Sequence, residues 1–384
     1  MHFSDDVARA DRNQSASAIS VLHCIATLDG GGAERQLKAV SRRLVERGFR
    51  ISILSRFRPQ DLEALSSEGV HCVPIRGRRN HNPGLAVDVW RTVRAINPHI
   101  VQTWLTQMDV LGGLLSGQRP KHIVSERASG LAYPSTLKNR LRRSLGMRAD
   151  CVVANSRMGA EYWYPAPNVV TIPNGVDLRW IDATPSNVLA RSDLLRDRKV
   201  VITVGRLSKQ KQMETLVRAV AQIRADIPEI LLLILGEGAE RGKLQGLVEQ
   251  LDLTEYVHFG GYVTDIPVWL KSAHLFASSS LYEGQPNVVL EAAAARIPMV
   301  LSDIPEHREL VGNAALYATP GKPDRFAAAL MQLLRSSGQR DELIAAARAV
   351  AEGYSFDAVA DAYADLYLRL AATSRRGQTG PASG

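Results

Sequence analysis

The sequence predicts an α/β protein of two doubly wound units, each a parallel sheet covered by helices. Three observations carry this. Short apolar runs alternate with amphipathic stretches along the chain, the order of strand, turn and helix. One run, Ile230–Leu235, is nearly all apolar, as a strand buried on both faces must be. The series also stops in a polar segment and then starts again, and 384 residues exceed the usual ~100–200 of one domain.

The first strand is expected at Ile19–Ala26, with a loop over 27–32 and a helix over 33–47 closed by Gly48. Strands follow at Arg50–Ser55 and Val70–Ile75, then a helix near Gly84–Ile96. Strands at His99–Thr103, His122–Ser125, Cys151–Asn155 and Val169–Ile172 complete the first unit, the last running into the turn Pro173-Asn174-Gly175. The stretch 178–198, with several Asp, Pro and Ser and no strand pattern, is read as a linker. The second unit, 199–355, has strands at Lys199–Val204, Ile230–Leu235, Val257–Phe259, His274–Ala277, Met299–Ser302 and Leu316–Ala318. The amphipathic segment 356–372 is a closing helix, assigned to the first unit, which spans 19–177. Residues 1–18 and 373–384 read as disordered tails. In such sheets ligands sit at the carboxyl ends of the strands.

Composition narrows the function. A formal net charge of +8 favours anionic partners. No nucleic-acid module or aromatic-interleaved basic strand is present, so nucleic acid is not an expected partner. Cys24, Cys72 and Cys151 are widely spaced, without CxxC or a Cys/His cluster, and read as buried apolar residues of a reducing compartment. The polar, acidic start is the opposite of a secretory signal. No apolar run approaches the ~20 residues of a membrane helix. The expected location is the cytoplasm, with peripheral contact to the inner face of a membrane as a further expectation. That contact would use the basic segment carrying Lys138, Arg140, Arg142, Arg143 and Arg148, with Leu137, Leu141 and Leu145 opposite. A solvated helix packed by its leucines is the alternative.

Three segments carry chemistry. In Leu281–Ala295, Pro286 suits the first turn of a helix. The amides at that helix start, with its dipole, can hold a diphosphate. Glu283 before it and Glu291 inside it then offer carboxylates to sugar and ribose hydroxyls. Alone, either Glu reads as a capping or surface residue; the pair around one helix start reads as a site. In Val204–Lys211, Gly205 opens the strand end, and Arg206 and Lys211 bring two cations to it. Cations there stabilise the charge that develops on a leaving diphosphate; a solvated basic loop is the alternative. In Asp29–Arg35, glycines 30, 31 and 32 let backbone amides approach a phosphate or substrate. The pattern is not GxGxxG, which argues against a dinucleotide. Asp-x-Asp, the phosphate-loop motif and GxSxG are missing, and the nine histidines show no ligand spacing, so no metal or resident cofactor is expected. His23 and His122 read as core residues.

Together these segments resemble the retaining glycosyltransferases of family 4, also called group 1. That resemblance implies the GT-B fold, two Rossmann-like domains facing across a cleft. Gly205-Arg206 with Lys211 is similar to the GRLxxxKG segment, with Gln212 in place of its last Gly. Gly236-Glu237-Gly238 is similar to the GxG turn, and Phe259–Tyr262 to the FxG element near the base. Glu283 to Glu291 fits E-x7-E. Gly30–Glu34 resembles the N-terminal glycine loop, and Ile172–Asp177 the segment before the linker.

The resemblance implies that Arg206, Lys211 and Glu283 are catalytic, and that Arg206 and Lys211 neutralise the diphosphate. It implies donor contacts from Gly31, Gly32, Gly205, Gly236, Gly261, Tyr262, Gln285, Pro286, Asn287, Val288 and Glu291. It also implies a nucleotide-diphosphate sugar as co-substrate, a glycan or lipid-linked acceptor, and retention by front-face attack in which the departing phosphate takes the acceptor's proton. Many relatives carry a His after the strand matching His99–Thr103. Here Thr103–Asp109 has none, and Gln107, Asp109, Glu126 and Arg127 are the acceptor-side candidates. A nucleotide-sugar epimerase, a sugar phosphorylase and a non-catalytic nucleotide-sugar binder are the competing readings.

Overall fold

The computed structural model describes residues 19–28, 31–75, 84–115, 120–127, 136–186 and 193–376. Residues 1–18, Asp29 and Gly30, part of the segment read as a linker (187–192) and the final 377–384 lie outside the described residues. The chain divides into two compact units, 1–175 with 356–384, and 176–355.

The first unit carries, among the described residues, a seven-stranded sheet: β1 (Ser20–Thr27), β2 (Arg50–Arg56), β3 (His71–Pro74), β4 (Ile100–Trp104), β5 (Lys121–Glu126), β6 (Cys151–Ala154) and β7 (Val169–Thr171). All pairings are parallel, in the order 3-2-1-4-5-6-7. The order reverses between β1 and β4, the switch point of a doubly wound sheet. β4 and β6 are buried throughout, as a sheet covered on both faces requires. The last helix, Phe356–Arg376, packs here. Its Val359, Tyr363 and Tyr367 join Leu37, Val40 and Trp104 in one core, and Arg47 binds Asp361 at 2.8 Å and the Asp357 carbonyl at 2.9 Å. This helix runs to Arg376, past the expected end at 372, because its 3.6-residue pattern gives no stop signal there.

The second unit carries β8 (Lys199–Val204), β9 (Ile230–Leu235), β10 (Val257–Gly261), β11 (Leu275–Ser278), β12 (Met299–Ser302) and β13 (Leu316–Ala318). Its order is 10-9-8-11-12-13, again all parallel, with the reversal between β8 and β11. Two cores, one on each face, flank it. The expected linker over 178–198 is corrected. It opens with a helix, Leu178–Ala183, capped by Asp177, whose side chain accepts the Trp180 amide. Ile181 and Leu195 are buried in the second unit's core. Its polar residues hid two apolar anchors too far apart to show a period.

Candidate functional site

In the second unit the loops after β8 and β11 flank the switch point, and they are the two segments whose chemistry the sequence singled out. Sequence places them far apart; the sheet order makes them neighbours. Hydrogen bonds stitch them together: Leu281 N to Gln210 O at 2.9 Å, Gln210 Nε2 to the Tyr282 carbonyl at 2.8 Å, and Ser279 Oγ to the carbonyls of Lys211 and Gln212 at 2.9 and 3.0 Å.

The result is a direct ion pair. Lys211 Nζ lies 2.5 Å from Glu283 Oε1, across 72 residues of chain. Ser280 Oγ donates to the same oxygen at 2.6 Å, and the Glu283 amide donates to Glu306 Oε1 at 3.2 Å. Glu283 and Glu306 are buried, at 6% and 4% exposure. Arg206 is exposed and makes no hydrogen bond or ion pair with the described residues. The two cations therefore differ: Lys211 is held by a carboxylate and Arg206 is available.

The glycines at the strand ends have structural reasons of their own. Gly236 has φ +133°, and a Cβ there would lie well inside contact distance of the Gly205 carbonyl. A Cβ at Gly238 would strike the Leu207 carbonyl. Gly236 N donates to Gly261 O at 2.6 Å and Gly205 N to Leu235 O at 2.9 Å. Gly236 and Gly261 (φ +68°) were expected at the donor; they serve first to let three strand ends approach one another. At Gly205 a Cβ would meet the Lys211 side chain at 3.3 Å, so the missing side chain leaves room for that lysine. Gln212, where the family has Gly, adopts φ +48°. The requirement for a left-handed residue survives, and Gln meets it at a cost of about 1 kcal/mol. Tyr262 is 68% exposed beside these turns.

The helix that follows Glu283 and contains Glu291 is Asn287–Ala294. Pro286 is its N-cap rather than its first residue, with φ −77° and ψ 100°, and no side chain caps the amino end. Val289, Leu290 and Ala292–Ala294 pack into the core; the small residues bring the helix close to the sheet. Glu291 stands one turn above Asn287, on the same face, and is buried at 8% exposure. Gln285, Asn287 and Val288 are half-buried around this end.

Sequence reading missed Ser279, Ser280, Glu306 and His307. His307 is fully buried and bonds the Ser302 carbonyl through Nδ1 at 2.9 Å. Burial holds its imidazole below the ordinary value, against the opposing pull of that carbonyl and of Glu283. The available signal was position: Glu306 and His307 follow β12 as Ser279 and Ser280 follow β11, at carboxyl strand ends.

In the first unit several expectations are corrected. Asp109 and Glu126 are fully buried and bind one buried arginine, Arg142, at 2.7 and 2.9 Å. Trp163 Nε1 donates to Glu126 at 3.0 Å and Thr103 Oγ1 to Asp109 at 2.8 Å. Burial pushes Asp109 up to about 6, against the pull of Arg142. These acids are engaged in a buried core network rather than exposed as acceptor-side groups. Arg142 likewise leaves the basic surface to which it was assigned, since its helix Leu137–Gly146 turns it inward. Arg127 is held over the Trp104 ring, 4.4 Å from its centroid, with bonds to Asn174 at 3.2 Å and to the Tyr363 hydroxyl. Gln107 is half-buried in the first turn of the helix Leu105–Leu115, directly after β4 at the switch point, where Leu105 takes φ +68°.

At the other side of that switch point, Gly31 caps the helix Gly32–Glu46. A Cβ on Gly31 would collide with the Glu34 carboxylate. The space freed by this glycine is thus taken by the chain's own acid, and the expected donor contacts of Gly31 and Gly32 gain no support from it. His23 and His122 are buried; burial lowers them to about 3 and about 4. Among the described residues no group of three or more His, Cys, Asp and Glu is placed to hold a metal, and no helix is long and apolar enough to cross a membrane.

Residues 189–350 match the family model described as glycosyl transferases group 1, and residues 30–180 that of glycosyltransferase family 4. The chain is 27% identical over 353 residues to the lipopolysaccharide core biosynthesis glycosyltransferase LpsE of Rhizobium meliloti, covering 88% of this chain and 95% of that one. It is 29% identical over 199 residues to the O-antigen chain mannosyltransferase B of Escherichia coli, 50% of this chain and 52% of that one. Among solved structures, Anabaena HepE in complex with UDP and glucose aligns with a TM-score of 0.78 at 21% identity, over 91% of this chain and 99% of that one. Sucrose-phosphate synthase from Thermosynechococcus elongatus aligns at 0.79 and 20%, over 92% of this chain and 100% of that one. The fold is GT-B, two Rossmann-like parallel-sheet units. The chain belongs to the group 1, family 4 glycosyltransferases.

Proposed function

We propose that this enzyme transfers a hexose-type sugar from a nucleoside-diphosphate donor, bound by its second unit, to a glycan or lipid-linked acceptor in the synthesis of a cell-surface polysaccharide or glycoconjugate. The observation that carries the reading is the Lys211–Glu283 pair ahead of the helix Asn287–Ala294, with Arg206 at the end of β8 exposed and without a hydrogen bond or ion pair among the described residues. A diphosphate entering there meets the helix dipole and two cations. Lys211 turns from Glu283 to the phosphate, and Glu283 becomes able to accept hydrogen bonds from sugar hydroxyls. Glu291 takes the ribose diol. As the sugar bond breaks, charge grows on the leaving phosphate, and Arg206 and Lys211 stabilise it without a metal. The departing phosphate takes the acceptor's proton, and the anomeric configuration is retained.

Relatives support the biological setting. The LpsE relative is named for lipopolysaccharide core synthesis, and the structural neighbour HepE was solved with UDP and glucose. Thermal shift with a panel of UDP- and GDP-sugars in chelator tests the donor, since bound donor raises the melting point by mass action. The anomeric proton coupling of the product tests retention. A donor that binds only with added metal, or an inverted product, refutes the corresponding step.

Peripheral membrane contact belongs to the same proposal. Leu137 and Leu141 are 83% and 45% exposed on one helix face, with Lys138, Arg140, Arg143 and Arg148 exposed beside them. Apolar tips within a basic rim fit an anionic lipid surface. Flotation with vesicles of anionic and of neutral lipid tests this; equal recovery in both, or none, refutes it.

A further inference from the structure

The second unit has a cavity of about 630 Å³ away from the site just described. His274 and Pro298 line it, immediately before β11 and β12. The cavity is therefore at the amino ends of the strands, whereas Ser279 and Glu283 follow the carboxyl end of β11. At ~3.3 Å per residue, the length of β11 separates the two by roughly 15 Å.

Its lining is cationic. Lys271, Arg296 and Arg340 contribute three positive charges, and Asp182 is the one carboxylate among the described lining residues. That acid is already neutralised: its two oxygens accept from Arg348 at 2.9 and 2.8 Å. His274 Nδ1 accepts the Val200 amide at 3.1 Å, so its Nε2 carries the proton and is a donor. Lys271 gives one bond to the Thr184 carbonyl at 2.6 Å, and Arg340 gives Nη1 to the carbonyls of Leu333 and Leu334 at 2.7 and 3.1 Å. Both keep further donors.

Arg296 is the most informative. Its side chain makes no hydrogen bond or ion pair with the described residues, and its charge, like that of Lys271, acts at longer range on Asp182. It also follows the helix Asn287–Ala294 with φ +60°, at the kind of position where helices commonly end on glycine. A long cation sits where Gly is conformationally cheaper by about 1 kcal/mol.

We infer that this cavity is a second anion site, separate from the donor site, built to take a phosphate-bearing small molecule. Its volume suits a phosphorylated metabolite rather than a macromolecule. The cations suit a phosphate or diphosphate group, and the His274 donor adds a directed hydrogen bond.

Calorimetric titration of the full chain with inorganic pyrophosphate tests this. Arg206→Ala removes the free cation of the donor site, so that site's contribution is read separately. Pyrophosphate binding is expected to survive in Arg206→Ala. It is expected to weaken about tenfold or more when Arg296→Asn is added, through loss of one charge-assisted contact. Asn tolerates the left-handed backbone, so the fold is kept. Lys271→Gln is the second variant and is expected to act in the same direction. Loss of all binding in Arg206→Ala alone overturns the inference. So does unchanged affinity in both Arg296→Asn and Lys271→Gln, or the absence of saturable binding. The comparison at Arg296 and Lys271 does not depend on the donor assignment.

Discussion

Lys211 and Arg206 are assigned one task, charge stabilisation, but their surroundings predict different costs of removal. Lys211 binds Glu283 at 2.5 Å, with the side chains 19% and 8% exposed. A hydrogen bond to a charged group in such a setting contributes about 1.5–3 kcal/mol. Ser280 Oγ, at 2.6 Å from the same oxygen, stays to hold Glu283. Lys211→Ala is therefore expected at the lower end, a loss of about 1.5 kcal/mol. Arg206 is exposed and without a partner among the described residues, so Arg206→Ala is expected to change stability by less than about 0.5 kcal/mol. In catalysis both lose a cation that acts on developing charge, and each variant is expected to slow transfer by about 10²–10³. Release of nucleoside diphosphate measures the rate, and urea denaturation measures stability. A double-mutant cycle of Lys211→Ala with Glu283→Gln is expected to show coupling of about 1–3 kcal/mol in stability. Wild-type turnover in Arg206→Ala refutes the catalytic assignment. Zero coupling in the cycle refutes the ion pair as the organiser of the site.

Three further predictions concern the framework. Arg142→Met leaves Asp109 and Glu126 buried without their cation and is expected to cost about 3–5 kcal/mol by urea denaturation; adding Asp109→Asn and Glu126→Gln restores part of it. Gln212→Gly relieves the left-handed backbone and is expected to raise stability by about 1 kcal/mol, read as a higher melting temperature. Acid weakens the first unit. His23 and His122, lowered by burial to about 3 and about 4, take protons between pH 6.5 and 5 almost only in the unfolded chain, so their contribution is complete above 6.5 and falls as pH drops. Asp109, raised to about 6, works in the opposite sense between 6 and its unfolded value, offsetting one histidine. The net loss from these three groups between pH 6 and 5 is about 1.4 kcal/mol. His122→Asn is expected to flatten it, and stability that rises as pH falls through this range contradicts the argument.

Local pattern was enough for the class of fold. A strand buried on both faces must be apolar throughout, as Ile230–Leu235 is, and a turn that needs positive φ or close backbone approach favours glycine, as at Gly236 and Gly261. Both constraints act within a few residues and are written into consecutive letters. The motif residues Arg206, Lys211, Glu283 and Glu291 were visible for the same reason, because each motif lies on one strand end or one helix start. Pairing and burial are different, since they depend on which elements the sheet order makes neighbours. Lys211 meets Glu283 only because β11 lies beside β8. Asp109, Glu126 and Arg142 had the letters of a polar site and a basic surface, yet α/β packing turned all three into one core. Glu306 and His307, with no motif around them, reached the site through the position of β12. A charged side chain carries no local mark of whether water or another charge will solvate it; only the packed chain supplies the partner.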